Sequence, residues 1–344
     1  MTDLLKERYS RQIKVPIIGQ KGQLKIKHAR VAVIGAGGLG SQLIYQIVGL
    51  GVGFLRIVDR DFVSISNLHR QILYTTEDIG RPKVEVAEEK CKKMNPEISI
   101  DAIHTTINKY NAYEIVKDVD IVLDGLDSFQ VRKYIADACW ELNKPYIFGG
   151  AKLLYGNVST FIRDKSPCFS CVFENMMDEA PCVEFGIIPE ILGVVASIQV
   201  MEALYIILGK KPNLIGKMLY IDLSDLSFER IDLFGEKNCN LCNKEDDKMI
   251  DKQDVVISIL CDGKTYDISP KKFININLSK VKEIVEPEYK VDVMTRNGII
   301  FWYSPETKIS LMKRGSMVIT GVDTEEKALK IYETIMSKIE DAIS

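Results

Sequence analysis

The sequence has no marked excess of charge of either sign. Its 344 residues include 45 Lys and Arg against 48 Asp and Glu, which leaves a formal net charge of −3. A chain so nearly balanced has no general electrostatic attraction to nucleic acid or to anionic membranes. We therefore expect its partners to be proteins or small molecules.

No apolar stretch in the sequence is long and uninterrupted. The N-terminal residues MTDLLKERYSRQIK mix charges into their apolar positions and lack the apolar core of a signal peptide. The most membrane-like segment, residues 191–209, is interrupted by Ser197, Gln199 and Glu202, and no basic flank precedes it. We therefore expect a cytoplasmic protein without a membrane span, in which this segment is a buried core helix.

Histidine is scarce, and His28, His69 and His104 lack the spacing of metal ligands. His69 stands beside Arg70 and is either a nucleotide contact or, as we expect, a spectator. The sequence also contains no internal repeat and no low-complexity tract. With 46% hydrophobic residues, the chain is long enough to bury the core of one large domain and to carry a smaller one.

Residues 30–150 alternate between strand-like and helix-like stretches. The apolar runs RVAVIG, FLRIVD, ISIDAI, VDIVLDG and PYIFGG are separated by helix-like segments at 39–50, 83–94, 110–117 and 129–143. This alternation is typical of a parallel sheet with helices on both faces. The later runs GNVSTFIRD, GKMLYIDLS and SFERIDLF are expected to add antiparallel strands, so the sequence predicts an extended Rossmann-like α/β fold.

A charged segment, residues 244–254, lacks apolar periodicity and is predicted to be a linker. It divides the chain into a domain at 1–243 and a smaller α+β domain at 255–344. The smaller domain carries no nucleotide, metal or nucleophile signal. We expect a binding or structural role for it.

A glycine-rich turn, Gly35-x-Gly37-x-x-Gly40, follows the first predicted strand and opens a helix. The backbone of such a turn can approach phosphate oxygens, and the helix N-terminus favours negative charge. Asp59 ends the second strand, where it is placed to accept hydrogen bonds from ribose hydroxyls. These features by themselves favour NAD or FAD, and the alternative without any ligand is a plain tight turn.

Charged and polar residues follow the second and fourth predicted strands. Asn67, Arg70, Lys83, Asp124 and Asp127 are all expected at the carboxyl edge of the sheet. Cations there suit a triphosphate better than a pyrophosphate already held by backbone amides. An aspartate in the same crevice suits Mg²⁺. Each residue taken singly is better interpreted as a solvated surface residue, but together they favour ATP with magnesium.

Two CxxC pairs, Cys168 with Cys171 and Cys239 with Cys242, are the strongest single signal in the sequence. Four thiolates in two such pairs match a closed tetrahedral zinc site. A redox dithiol would need only one pair. We therefore predict a structural Zn²⁺ site that ties the two segments together.

The other cysteines differ in setting. Cys182 is unpaired in a polar stretch that precedes a helix, so it is either a reactive thiol or a spectator. Cys91, Cys139 and Cys261 are interpreted as ordinary apolar positions.

Several separated motifs resemble the MoeB/ThiF/HesA group of the ubiquitin-activating enzyme superfamily. They are RYSRQ, GAGGLGS, DRDFVSISNLHRQ, GRPKVE, LDGLDS, the two CxxC pairs and PCVEFG, and they cover about residues 5–243. The resemblance implies that ATP adenylates the C-terminal glycine of a small β-grasp protein. That partner would be a ubiquitin-like protein or sulfur carrier ending in Gly-Gly, and pyrophosphate would be released.

The resemblance also implies roles for individual residues. By position, Gly38 contacts the nucleotide, Asp59 holds the ribose, Asn67, Arg70 and Lys83 hold phosphates, and Asp127 binds magnesium.

The resemblance also bears on three further positions. Arg11 would reach into the site of a partner subunit, which makes the catalytic unit a homodimer. Ser128 follows Asp127 where the group often has Asn, so its contact is less defined. Cys182 matches a cysteine that in some members accepts the activated carboxylate as a thioester or joins sulfur transfer, which would add a sulfurtransferase as a partner.

Three functional hypotheses stay open on the sequence. The first is the ATP-dependent activating enzyme, the second an NAD- or FAD-dependent oxidoreductase, and the third a non-catalytic, zinc-stapled adaptor for a β-grasp protein. By analogy with larger activating enzymes, residues 255–344 would be a ubiquitin-fold-like module that recruits a conjugating enzyme or the carrier. A rhodanese domain is disfavoured, because Cys261 stands at a strand end and not in a catalytic loop.

Overall fold

The computed structural model describes residues 7–173, 186–236, 239–243, 255–259 and 264–343. The predicted linker at 244–254 lies outside the described residues, as do Cys182 and Cys261.

An eight-stranded sheet forms the larger unit. Its strands are β1 (Arg30–Ile34), β2 (Phe54–Asp59), β3 (Ser99–His104), β4 (Ile121–Asp124), β5 (Tyr146–Lys152), β6 (Tyr155–Phe161), β7 (Lys217–Asp222) and β8 (Ser227–Asp232). Their order is β3-β2-β1-β4-β5-β6-β7-β8. The first five pair in parallel, and β6, β7 and β8 add antiparallel pairs. The prediction of a parallel sheet with an antiparallel extension is confirmed.

Helices cover both faces of this sheet. They are α1 (Ser10–Ile13), α2 (Gly19–His28), α3 (Gly38–Leu50), α4 (Lys83–Met94), α5 (Ala112–Val116), α6 (Phe129–Glu141), α7 (Phe169–Phe173), α8 (Pro189–Ile207) and α9 (Asn240–Asn243). One apolar core cluster combines residues of α3, α4 and α8, and a second combines residues of α5, α6 and α7. The sheet thus separates two cores, as its apolar strands predict.

Helix α8 is long and apolar enough to span a membrane by length and composition, and it is the one such helix among the described residues. It nevertheless packs on α3, β5 and β6. Gln199 Nε2 donates to the Asp124 carbonyl at 3.0 Å, and Glu202 Oε2 accepts from Thr160 Oγ1 at 2.8 Å. The polar residues that interrupt the apolar run are therefore buried anchors of the core.

A six-stranded sheet forms the smaller unit. Its strands are β9 (Val255–Ile259), β10 (Thr265–Pro270), β11 (Lys290–Met294), β12 (Gly298–Trp302), β13 (Lys308–Met312) and β14 (Met317–Thr320), in the order β11-β12-β13-β14-β10-β9. Two helices, α10 (Leu278–Val285) and α11 (Glu325–Lys338), share its apolar core. Every pairing between these strands is antiparallel. A ubiquitin fold requires a parallel pair, so this topology gives the ubiquitin-fold-like hypothesis no support.

Candidate nucleotide site and cysteine cluster

The glycine turn lies at the carboxyl end of β1, where three glycines touch. Gly35 has φ +91°, and a Cβ on it would lie 2.5 Å from the Gly125 carbonyl oxygen. A Cβ on Gly40 would lie 1.9 Å from the Gly35 carbonyl oxygen. Glycine is therefore required for the close approach of β4, the turn and α3. Helix α3 begins directly after the turn, at Gly38. The free amides at a helix N-terminus are suited to stabilise a phosphate.

Asp59 braces this turn from the end of β2. Its Oδ2 accepts from the Ala36 amide and its Oδ1 from the Asp61 amide, both at 2.6 Å. Burial raises the pKa of Asp59, while Lys83 works to lower it. The structure thus places the predicted ribose residue directly against the glycine turn.

Lys83 is buried at the start of α4, and its Nζ lies 2.8 Å from Oδ2 of Asp61. Burial acts against its charge, but Asp59 and Asp61 outweigh burial and raise the pKa of Lys83. The ammonium group is therefore a fixed positive charge beside the turn. Sequence reasoning missed Asp61, although the DRD spacing at the end of β2 carries the signal.

Arg70 crosses the glycine turn from outside. Its Nη1 donates to the Ser66 carbonyl at 2.8 Å. A Cβ on Gly38 would lie 3.5 Å from Arg70 Cδ, so the aliphatic stem passes over the turn. The stem of Arg70 is thereby packed against the start of α3.

Two residues predicted to contact the nucleotide act as caps in the structure. Asn67 Oδ1 accepts from the Ser64 amide at 3.2 Å within the 3-10 helix Ile65–Asn67. Ser128 Oγ accepts from the Val131 amide at 3.5 Å at the start of α6. Both side chains stabilise the turns next to the site.

The two aspartates after β4 have different surroundings. Asp124 is fully buried, with Oδ2 3.0 Å from Arg132 Nε and 2.8 Å from the Tyr146 hydroxyl, so it is a structural brace. Asp127 is exposed, and its charge acts on Lys83 and Arg60. Of these two aspartates, Asp127 is therefore the one whose carboxylate is accessible.

Arg11 does not join the other predicted residues within one chain. Helix α1, which carries it, lies at the far ends of α3 and α4. There Gln12 Nε2 donates to the Leu50 carbonyl at 2.9 Å, and the Tyr9 hydroxyl lies 2.7 Å from Asn95 Nδ2. Arg11 is exposed at this end of the sheet, opposite the glycine turn.

The four predicted metal ligands, Cys168, Cys171, Cys239 and Cys242, form one cluster whose sulfur atoms all lie within 4.8 Å of one another. The Sγ distances of Cys168 to Cys171 and to Cys239 are 3.4 and 3.6 Å. Tetrahedral zinc with Zn–S bonds of about 2.3 Å separates its sulfurs by about 3.8 Å. The donor set and spacing therefore fit zinc.

The cluster lies far from the glycine turn. It packs against Trp140 near the C-terminal end of α6, whereas Ser128 caps the N-terminal end. At 1.5 Å per residue these ends are about 18 Å apart. A metal here would have a structural role and no part in chemistry at the turn.

Two other cysteines are core residues, as predicted. Cys91 and Cys139 are buried, and burial raises the pKa of Cys91 to about 12. Neither thiol is suited to be a nucleophile.

His104 is buried between the two units. Its Nε2 lies 2.8 Å from the Arg60 carbonyl oxygen and its Nδ1 lies 3.3 Å from the Asn297 carbonyl oxygen. No spacing in the sequence indicates this contact, because it joins residues far apart in the chain.

The ThiF family model matches residues 9–244, more than half of the chain. The chain belongs to the ThiF family. The match ends where the larger unit ends, so the ThiF assignment does not extend to the smaller unit.

Named proteins with similar sequences agree with the ThiF assignment. The sulfur carrier protein adenylyltransferase of Thermus thermophilus is 36% identical over 247 residues, 70% of this chain and 91% of that protein. The SAMP-activating enzyme E1 of Haloferax volcanii is 33% identical over 241 residues, 69% of this chain and 89% of that protein. The crystal structure of E. coli MccB with ATP superposes with a TM-score of 0.61 at 23% identity, covering 68% of this chain and 73% of MccB, which shows a shared fold.

Proposed function

We propose that this ThiF-family protein is an ATP-dependent adenylyltransferase that activates the C-terminal glycine of a small ubiquitin-like or sulfur-carrier protein. One observation carries the proposal: the stem of Arg70 and the carboxylate of Asp59 both lie against the glycine turn, and the charge of Lys83 acts on Asp59. Relatives named as a sulfur carrier protein adenylyltransferase and a SAMP-activating enzyme support this activity.

The arrangement suits attack of a carboxylate on the α-phosphate of ATP. A bond forms between the carboxylate oxygen and the α-phosphorus, the bond from that phosphorus to the bridging oxygen breaks, and pyrophosphate leaves. Negative charge builds on the phosphate oxygens, and the fixed charges of Lys83 and Arg70 stabilise it. No protein nucleophile is needed, and Asp59 would orient the nucleotide through the ribose hydroxyls.

Magnesium is part of the proposal as the cation that accompanies ATP. Asp127 is exposed, and its charge acts on Lys83, so its carboxylate is suited to bind Mg²⁺. The ion would neutralise the leaving pyrophosphate. This same cationic region favours ATP over NAD or FAD.

Zinc is proposed at the cysteine cluster. The cluster joins α7 to α9, so a bound ion would tie the segment after β6 to the segment after β8. Four thiolate ligands close the coordination shell, which is typical of a structural site. They also suit a reducing compartment, so a cytoplasmic location belongs to the proposal.

The proposed catalytic unit is a homodimer in which Arg11 of each chain completes the site of the other. Its exposure on the end opposite the glycine turn supports this, since it reaches no phosphate position in its own chain. Mixing the Arg11→Ala and Arg70→Ala proteins would then restore part of the activity by forming one intact site. A mixture as inactive as the two parents would contradict the dimer.

The proposal includes transfer to Cys182 as a second step, in which the thiolate displaces AMP and forms a thioester. A sulfurtransferase or conjugating enzyme would then be a further partner. Cys182→Ala would keep adenylation but lose a thiol-labile adduct with the carrier. An unchanged adduct would show that Cys182 is not the acceptor.

The proposed activity is tested by exchange of labelled pyrophosphate into ATP. Purified protein is mixed with candidate carriers from the same genome, each with and without its final glycine. Exchange should require an intact C-terminal Gly-Gly. If none of these carriers supports exchange and the protein binds NAD tightly, the oxidoreductase hypothesis is favoured instead.

A further inference from the structure

The smaller unit contacts the larger one at the residue that follows Asp59. Asp267 on β10 is fully buried, and its Oδ2 lies 2.9 Å from Nη1 of Arg60. The same oxygen accepts from Thr106 Oγ1 at 2.6 Å, and Oδ1 accepts from Ser269 Oγ at 3.2 Å. Asp267 is therefore a buried carboxylate whose charge is balanced by an arginine of the larger unit.

The main chain of Arg60 is held from the same side. His104 Nε2 lies 2.8 Å from the Arg60 carbonyl oxygen, and its Nδ1 faces the carbonyl of Asn297 at 3.3 Å. Asn297 lies in the turn between β11 and β12. The smaller unit thus fixes the side chain of Arg60 directly and its carbonyl through His104.

A second set of contacts reaches helix α4, which begins with Lys83. The Asn297 amide donates to Glu85 Oε1 at 2.7 Å, and Arg296 forms an ion pair with Glu88. Both glutamates lie in the first half of α4. The smaller unit therefore holds the two elements of the larger unit that carry Asp59 and Lys83.

We propose that Asp267 is a positioning residue for ATP, which acts through Arg60. The inference rests on the proposed function, and it gives the smaller unit a part in nucleotide binding. The smaller unit holds residues 59–61 and the start of α4 against each other. It thereby keeps the Asp59 carboxylate and the Lys83 ammonium group in one arrangement. Such preorganisation lowers the cost of ordering the site when ATP binds.

Loss of the Asp267 charge has a defined consequence at the site. Arg60 Nε already lies 3.7 Å from Oδ1 of Asp61, the partner of Lys83. Without the buried carboxylate, the guanidinium loses its nearest negative charge and can pair more fully with Asp61. It would then compete with Lys83 and shift the carboxylate that holds the ammonium.

The test compares Asp267→Asn with Asp292→Asn. Asp292 lies on β11 of the same sheet, where it accepts from Trp302 Nε1 at 3.0 Å and pairs with Lys308 at 3.1 Å. The Kd of ATP is measured without carrier, and the KM values of ATP and carrier are measured by pyrophosphate exchange. Asp267→Asn should raise the Kd and KM for ATP about tenfold, roughly the effect of losing one charged hydrogen bond. The carrier KM should not change, and Asp292→Asn should match wild type throughout.

A purely structural role for Asp267 would lower the melting temperature without changing the KM of ATP, and that result would overturn the inference. If Asp267→Asn does not fold, Arg60→Met and Arg60→Lys replace it. Arg60→Met should raise the KM of ATP. Arg60→Lys should raise the KM less, because it keeps a positive charge beside Asp267. Wild-type affinity in Arg60→Met would equally overturn the inference. Absence of ATP binding by the wild-type protein would instead reject the proposed function, and this inference with it.

Discussion

Lys83 and Asp61 form an ion pair within the candidate nucleotide site, with Nζ 2.8 Å from Oδ2. The pair holds the ammonium beside Asp59 at the end of β2, so the charge is in place before a phosphate arrives. The site therefore needs little reorganisation when ATP binds, which is the condition under which fixed charges stabilise a transition state most.

This pair predicts a pH-dependent contribution to stability. Partial desolvation works to raise the pKa of Asp61, but the positive charges of Lys83 and Arg60 outweigh this effect and hold the pKa below its usual range. A carboxyl with a lowered folded-state pKa stabilises the fold above its unfolded pKa of about 3.9, and this stabilisation is lost as pH falls through the folded-state value. Asp61→Asn should therefore lower the free energy of unfolding at pH 7 by about 0.5–1 kcal/mol, the range for a partly exposed pair.

Chemical denaturation of both proteins from neutral to acidic pH measures this effect. The difference between wild type and Asp61→Asn should shrink below about pH 4. A difference that stays constant or widens on acidification would contradict the assignment.

Arg70 and Asp127 are predicted to be required for adenylation. Arg70→Ala removes a guanidinium beside the glycine turn, and Asp127→Asn removes the carboxylate proposed for magnesium. Each should lower pyrophosphate exchange by about a hundredfold or more, as loss of a transition-state contact does. Lys117→Ala is the control, because Lys117 is exposed and pairs with Glu114 at the surface. Near-normal exchange in either site variant, with unchanged circular dichroism, would refute its role.

Gly35 should not tolerate a side chain. Its φ of +91° and the 2.5 Å approach of the Gly125 carbonyl to a Cβ make Gly35→Ala strained and sterically blocked. We expect a loss of about 1–3 kcal/mol in the free energy of unfolding together with weaker ATP binding. Gly193→Ala is the matched control, because a Cβ there meets nothing within 4 Å and α8 would gain helix propensity. A loss of stability in Gly193→Ala as large as that in Gly35→Ala, measured by thermal unfolding, would contradict the steric explanation.

The cysteine cluster should bind one zinc ion per chain. Cys171→Ser removes one of the four sulfur ligands and should lose the metal, with a fall in melting temperature of at least about 2–4 °C. Cys139→Ala, a buried cysteine outside the cluster, should keep its zinc. Elemental analysis of the purified proteins decides between these outcomes. Full zinc content in Cys171→Ser would place the metal elsewhere.

Much of the larger unit follows from local sequence signals. The predicted helix at 83–94 begins and ends as expected, because Pro82 starts it and Asn95 with Pro96 ends it. Strand β13 and helix α10 of the smaller unit were not identified from the sequence. Asn277 caps α10, and Leu278, Val281 and Val285 follow at helical spacing. The two elements span only 8 and 5 residues, however, so their periodicity is weak.

Some features of the candidate site are indicated by local sequence motifs, and others are not. The glycine spacing and the cysteine pairs locate their sites because each motif is contiguous or nearly so. The pair of Arg60 with Asp267 joins residues of separate units, and neither residue stands in a motif that requires the other. Asp124 and Asp127 look alike in sequence, and only the packing of Arg132 and Tyr146 on Asp124 distinguishes their roles.

The most direct test of the central claim is the intact mass of the carrier protein after incubation with this protein, ATP and Mg²⁺. We expect a β-grasp carrier with a C-terminal Gly-Gly to gain the mass of an adenylate, and the same carrier without its last glycine to stay unmodified. The proposed activity is contradicted if no such carrier of the same genome gains the adenylate. It is also contradicted if the adenylate forms on a carrier that lacks its last glycine.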